Sequence, residues 1–281
     1  MSKKWSIVGI PDDEGVKNVG GRIGAAQGPQ AFAPFYNKLK PRFSVNESLE
    51  NEIEFDPGSG SLSEKHEAVI EKIKSVSSSK DFSVIIGGGH DYIYCHLKGV
   101  RRAFPDKKIG CINIDPHFDM REPKPVFTSG SPFNVALTER IIEGKHLVEF
   151  GIQEHCNAPE LWDFAKSHGV KTVTFPELRE KSVRAVFEET LNTLAENCDV
   201  VVVSFDLDSV AGPFAPGVSA PAVEGFTPTE AHQMMEVSGS QDKVISLGIY
   251  ELNPRFDRDN LTARLAATSC HYFAQSKLEK I

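Results

Sequence analysis

The chain has 281 residues, 40% of them hydrophobic and 25% charged, with a net charge of −8. That is enough to bury a large α/β core, and an acidic balance with no Lys/Arg run argues against nucleic acid as a partner. Five widely spaced cysteines without a C-x-x-C pair fit reduced thiols in a cytoplasmic protein and not a disulfide framework, and no apolar run is long enough for a signal segment or a membrane span.

Residues 5–10 read as a first strand. Residues 12–28, rich in Gly and charge, read as an ordered loop or lid, where Gly20, Gly21, Gly24 and Gly28 permit sharp backbone geometry. Pro29 opens a helix to about residue 40. Residues 41–62 look irregular apart from an edge strand, and residues 63–80 carry Ala68, Val69, Ile73 and Val76 at helical spacing. A short buried strand at 82–86 runs into Gly87-Gly88-Gly89-His90-Asp91, with a helix at 92–104 and a strand at 108–115. Residues 131–143 read as helix, 146–152 as a strand ending in Gln153, 158–168 as helix, 170–175 as strand and 182–197 as helix. Residues 199–206 show no apolar alternation, as expected of a strand covered on both faces. Thr227-Pro228-Thr229-Glu230 is a capping box, residues 243–251 are the last strand, and a final helix starts near residue 260. The sustained alternation predicts one doubly wound, mostly parallel sheet in a single domain spanning residues 1–281.

The strand ends carry the chemistry. After Ile112 and Ile114 come Asp115, His117 and Asp119, which would share a side in an extended strand; Pro116 removes a donor and disfavours helix there, so the strand is expected to fray into a loop. Carboxylate and imidazole together suit a divalent ion such as Mn²⁺, Zn²⁺ or Fe²⁺. Asp206 and Asp208 repeat the i, i+2 spacing, and Glu251 and His90 end two more strands. Each fragment alone also reads as an ordinary polar turn, and the glycine triplet lacks the Lys-Ser/Thr of a phosphate loop. Together, His90, Asp115, His117, Asp119, Asp206 and Asp208 are six potential ligands at three strand ends, enough for two ions roughly 3.5–4 Å apart if a carboxylate bridges them.

Gly-Gly-Gly-His at 87–90, Asp-Pro-His-Phe-Asp at 115–119, Ser-Phe-Asp-Leu-Asp at 204–208 and Glu251 in Glu-Leu-Asn-Pro resemble, in order, the motifs of the ureohydrolase (arginase) family. The resemblance runs from Gly9 to Ala267. It implies a three-layer α/β/α sandwich around a mostly parallel eight-stranded sheet, two Mn²⁺ per subunit, and a trimer or hexamer. One ion would take His90, Asp115, Asp119 and Asp206, and the other Asp115, His117, Asp206 and Asp208.

Within that family, Asp13-Glu14-Gly15-Val16, Gly21-Arg22, Asp119-Met120-Arg121, residues 128–133, Gly151-Ile152-Gln153, residues 215–221 and residues 262–267 are similar to the formimidoylglutamases. Ser129 stands where guanidine-cleaving members usually carry a proton-transferring His. The activity implied is hydrolysis of N-formimidoyl-L-glutamate to L-glutamate and formamide, a reaction of histidine degradation. The alternatives are a hydrolase of agmatine, guanidinobutyrate or arginine that releases urea, or a non-catalytic metal-binding paralogue. Glu251 is expected to hold the amidinium and Asp119 to carry the proton. Arg121, two residues past Asp119, and Arg22, in the Gly-rich loop, are the candidates for the substrate carboxylates. Ser129 and Gln153 complete the expected substrate contacts, with His155 as a possible substitute shuttle.

Overall fold

The computed structural model describes residues 4–41 and 49–279. Its first half runs β1 (Trp5–Gly9), α1 (Glu14–Asn18), α2 (Gly28–Tyr36), β2 (Leu49–Glu52), α3 (Leu62–Ser79), β3 (Phe82–Ile86), α4 (Tyr92–Ala103), β4 (Ile109–Ile114) and α5 (Pro132–Thr138). The second half runs β5 (Leu147–Ile152), α6 (Pro159–Ser167), β6 (Lys171–Thr174), α7 (Phe175–Leu178), α8 (Val183–Asn197), β7 (Val200–Asp206), α9 (Pro228–Ser240), β8 (Val244–Tyr250) and α10 (Leu261–Glu279).

The strands form one eight-stranded sheet in the order β2-β1-β3-β8-β7-β4-β5-β6, and every pairing is parallel. Successive side chains of the central strands enter two different cores. Ile7, Val84, Ile86, Ile112 and Val203 pack on one face with residues of α8, α9 and α10. Val8, Ile85, Cys111 and Val202 pack on the other with residues of α3, α4 and α5. The period-2 alternation of the pleat therefore separates two apolar layers rather than an inside from an outside. This is the expected three-layer α/β/α sandwich. The outermost strands, Leu-Glu-Asn-Glu and Lys-Thr-Val-Thr, carry the polar residues that blunt a sheet edge.

Local chemistry sets the helix limits. Ser61 with Glu64 and Thr227 with Glu230 form complete capping boxes. Thr174 with Glu177 forms a third, which opens the one-turn helix α7; the sequence reading passed over it inside a predicted strand. The helix expected over 131–143 stops at Thr138, where Arg140 takes a left-handed φ of 57°. The segment expected as a loop at 12–28 contains α1 and a short 3₁₀ turn at Ala25–Gln27. Among the described residues no helix is long and apolar enough to cross a membrane.

Strand order places the site. β3, β8, β7 and β4 are consecutive neighbours. The chain leaves β3, crosses to β4, and returns later through β7 and β8, so the carboxyl ends of these four strands flank a topological switch point, where such sheets bind ligands.

Candidate metal centre

Each of the four strand ends is turned by a specific local device. After β3, Gly88 passes so close to β1's exit that an added Cβ would lie 1.8 Å from the Asp12 carbonyl oxygen. Gly89 N–H donates to that carbonyl at 3.0 Å, and Gly88 C=O accepts from Glu251 N–H at 2.9 Å. The glycine triplet is thus a packing junction that brings His90 beside Glu251. After β4, His117 N–H donates to Asp115 Oδ1 at 2.7 Å, and after β7, Asp208 N–H donates to Asp206 Oδ1 at 2.7 Å. In both turns one carboxylate oxygen folds the chain, as Asp does in an Asx-turn, while Oδ2 faces the centre.

The strand gives way to a loop at Pro116, as the sequence predicts: β4 ends at Ile114 and Asp119 has φ 48°. A turn, not the pleat, brings these side chains together. Glu251 is also left-handed, at φ 66°. For a residue with a long side chain that conformation costs on the order of 1–2 kcal/mol.

Four donors converge. His90 Nδ1 lies 3.0 Å from Asp115 Oδ2, 2.8 Å from Asp119 Oδ2 and 3.1 Å from Asp206 Oδ2, and the donor atoms of these four residues all lie within 4.8 Å of one another. Bonds of roughly 2.1 Å at right angles would set adjacent ligands about 3.0 Å apart, so the cluster fits a small divalent cation. Three carboxylates and one imidazole suit such an ion chemically. His117 Nδ1 lies 3.3 Å from Asp115 Oδ1. His117 and Asp208 line the same cavity, of about 100 Å³, but stand outside the group of four.

The ring of His90 is oriented from behind. Its Nε2 is 2.9 Å from Ser204 Oγ, a contact that leaves Nδ1 free to offer its lone pair to an ion. Ser204→Ala is expected to weaken divalent-metal affinity by roughly 10–100-fold, measured by titration calorimetry, with little change in melting temperature of the ion-free protein.

Burial dominates the electrostatics of the cluster's own side chains. Asp206 is pushed up to about 6 by burial and by Asp115, and Glu251 up to about 8 by burial and by Asp206. Burial, with Asp206 and Glu251 nearby, raises Asp208 well above its ordinary range. Asp115 differs: burial opposes its charge, but hydrogen bonds from His117 and His90 outweigh it and hold the carboxyl below its ordinary value. An ion entering here would displace protons.

Beneath Asp115 lies a pair that the sequence reading missed. Asn113 Nδ2 donates to Glu149 Oε2 at 2.9 Å and reaches Asp115 Oδ2 at 3.4 Å. Both are wholly buried and opposite each other on β4 and β5. Their only sequence signal is a polar residue inside an otherwise apolar strand. Burial keeps the Glu149 carboxyl well above its ordinary value.

Of the expected substrate contacts, Arg121 and Ser129 line the cavity, as do Ser219 and Ala220, which had been given no individual role. Arg22 and Gln153 do not line it. The Arg22 guanidinium is taken up by the backbone carbonyls of Pro216, Val218 and Ser219, and Gln153 Nε2 donates to Glu224 C=O at 2.7 Å. His155 lines a separate surface pocket with Gln153 and Arg179. Cys156 is half-buried and in hydrogen-bond contact with the His117 ring.

A family model described as the arginase family matches residues 3–274. The formimidoylglutamase of Staphylococcus carnosus is 33% identical over 273 residues, 95% of this chain and 84% of the relative. That of Staphylococcus aureus (strain bovine RF122 / ET3-1) is 34% identical over 275 residues, with the same shares. The crystal structure of Trypanosoma cruzi formiminoglutamase with Mn²⁺ superposes with a TM-score of 0.90 at 30% identity, over 98% of this chain and 94% of that one. Formimidoylglutamase of Bacillus subtilis, at 23% identity and a TM-score of 0.88 over 100% and 88% of the two chains, shares the fold.

Proposed function

The chain belongs to the arginase family, and on that premise we propose that it is a metal-dependent hydrolase of a linear amidine, N-formimidoyl-L-glutamate, in histidine degradation. The products are L-glutamate and formamide. The observation that carries this reading is Glu251: a buried carboxylate that lines the same cavity as His90, Asp119 and Asp206 but stands outside the four-donor cluster.

His90, Asp115, Asp119 and Asp206 would hold one Mn²⁺, and His117 and Asp208, with Asp115 and Asp206 shared, a second. A divalent ion there supplies Lewis acidity, the property that makes water a competent nucleophile near neutral pH. The protein's own groups do the rest. Glu251 receives the amidinium by charge-assisted hydrogen bonds, and its position is fixed because Oε1 accepts from His90 N–H at 2.7 Å and Oε2 from the Ser219 hydroxyl. Asp119 lines the cavity and moves a proton to the departing amine nitrogen, so that the C–N bond breaks with a neutral leaving group. Arg121, among the described residues the one Lys or Arg side chain lining the cavity, binds a substrate carboxylate.

The test is product formation by Mn²⁺-loaded protein given formimidoylglutamate, arginine, agmatine or 4-guanidinobutyrate. Glutamate and formamide from the first alone are expected; urea from a guanidine would replace this reading with the other branch of the family. In the same assay Arg121→Ala should raise KM about tenfold with kcat nearly unchanged, the signature of lost uniform binding by an exposed charge.

A further inference from the structure

The wall of the cavity formed by Ser219 and Ala220 belongs to Ala215-Pro216-Gly217-Val218-Ser219-Ala220, a segment without helix or strand. Backbone carbonyls in such a segment need partners from elsewhere, and one side chain supplies them. Arg22 Nε donates to Ser219 C=O at 3.2 Å, and Nη2 to Val218 C=O and, at 3.5 Å, to Pro216 C=O. Arg22 Cζ lies over the Phe256 ring, 4.1 Å from its centre.

The backbone of Arg22 is held in turn. Its carbonyl accepts from Asn253 Nδ2 at 2.8 Å, and Asn253 N–H donates to Gly217 C=O at 2.7 Å. Gly24, at φ 140°, lets this loop pass Asn253 so closely that a Cβ would meet Asn253 Oδ1 at 2.2 Å. Three segments therefore meet at Arg22: the Gly-rich loop, the 215–220 wall, and the chain just beyond Glu251.

We propose that Arg22 is a positioning residue: it gathers the converging carbonyls of Pro216, Val218 and Ser219 and so holds Ser219 against Glu251, fixing the direction of the carboxylate that receives the substrate's amidinium. Several carbonyl dipoles aimed at one point repel one another unless a cation sits there. A planar, many-donor cation can bond them along different directions and still stack on Phe256. A lysine supplies the charge but neither the fork nor the plane. The link to the amidinium rests on the function proposed above; the clasp itself does not.

The experiment compares Arg22→Lys, Ser219→Ala, their double variant, Phe256→Leu and Arg121→Ala in the full-length protein. Amide hydrogen exchange over residues 213–222 and Mn²⁺ affinity are read without turnover, and kinetics are read on formimidoylglutamate and on formamidine, an amidine with no carboxylate. Arg22→Lys should speed exchange in 213–222 about tenfold or more and lower kcat/KM about 10–100-fold on both substrates, with Mn²⁺ affinity within about threefold of wild type. The double variant should be no worse than the weaker single one, because both break the same restraint. Phe256→Leu, which withdraws only the stacking surface, should move exchange the same way by roughly two- to fivefold.

If Arg22 instead gripped a substrate carboxylate, Arg22→Lys would spare formamidine as Arg121→Ala does, leave exchange unchanged and multiply with Ser219→Ala; that pattern overturns the proposal. Should the wild type turn over neither amidine, the proposed function fails, and the exchange rates of Arg22→Lys and Phe256→Leu alone decide the clasp.

Discussion

Asp206→Asn should remove most divalent-metal binding and, with it, kcat/KM by roughly 10³-fold or more, several kcal/mol of transition-state stabilisation. The substitution isolates charge. Asp206 Oδ1 accepts the Asp208 N–H at 2.7 Å, and an amide oxygen can keep that bond and the turn it makes. What is lost is the negative charge on Oδ2, 3.1 Å from His90 Nδ1. Affinity should fall beyond the roughly 10–100-fold expected when only an outer hydrogen bond is removed, as at Ser204.

The ion-free protein should respond in the opposite sense. Asp206 is pushed up to about 6 by burial and by Asp115, above the ordinary value for an unfolded Asp. Its contribution to stability is therefore fully present below about pH 4 and is lost as pH rises through about 6. At pH 7 in a chelator, Asp206→Asn should melt higher than wild type, by an amount on the order of 1–3 kcal/mol, and the difference should close near pH 4. Adding Mn²⁺ at 100 times its Kd should raise the wild-type stability by about 2.7 kcal/mol and leave the variant unmoved. An Asn variant that keeps wild-type metal affinity would remove Asp206 from the ligand set.

The sheet and most helices were legible because their signals are local: apolar runs of strand length, capping boxes, Pro at helix starts. So was the convergence on the strand ends, since Asp115, Asp206 and Glu251 each follow directly on a buried run. The mechanism of convergence was not legible. It rests on an Asx-type turn and a left-handed Asp119, which no period-2 pattern announces. Long-range partnership was equally hidden. Asn113 and Glu149 meet only because β4 and β5 pair in one register, and Arg22 meets residues 216–219 across nearly two hundred residues of chain. An arginine read alone looks like a ligand for an anion; here the structure gives its donors to backbone carbonyls. Arg121, by contrast, stayed at the cavity because Arg121 N–H is tied to Gly130 C=O at 2.8 Å, which keeps its loop against the opening.

Glu251→Gln should lower kcat/KM by roughly 10²-fold, matching the loss of a charge-assisted bond worth about 1.5–3 kcal/mol, while Mn²⁺ affinity stays within a few-fold of wild type. Glutamine keeps the length and can still accept the His90 N–H, so an activity loss without a metal loss would be a loss of the negative charge facing the amidinium. Loss of both together would instead make Glu251 part of the metal set, and full activity would move the amidinium elsewhere in the cavity. Glu251→Gly separates function from fold more sharply. Glycine relieves the left-handed φ of 66° and removes a carboxylate that burial and Asp206 push up to about 8. It should therefore give a protein at least as stable in chelator as wild type, with activity at least as low as that of the Gln variant. A left-handed, buried glutamate is poorly chosen for stability, and the position makes physical sense only if the carboxylate is needed where that backbone puts it. If Glu251→Gly instead melts well below wild type, the bonds to His90 and Ser219 outweigh the strain, and Glu251 is a structural clamp as much as a substrate contact.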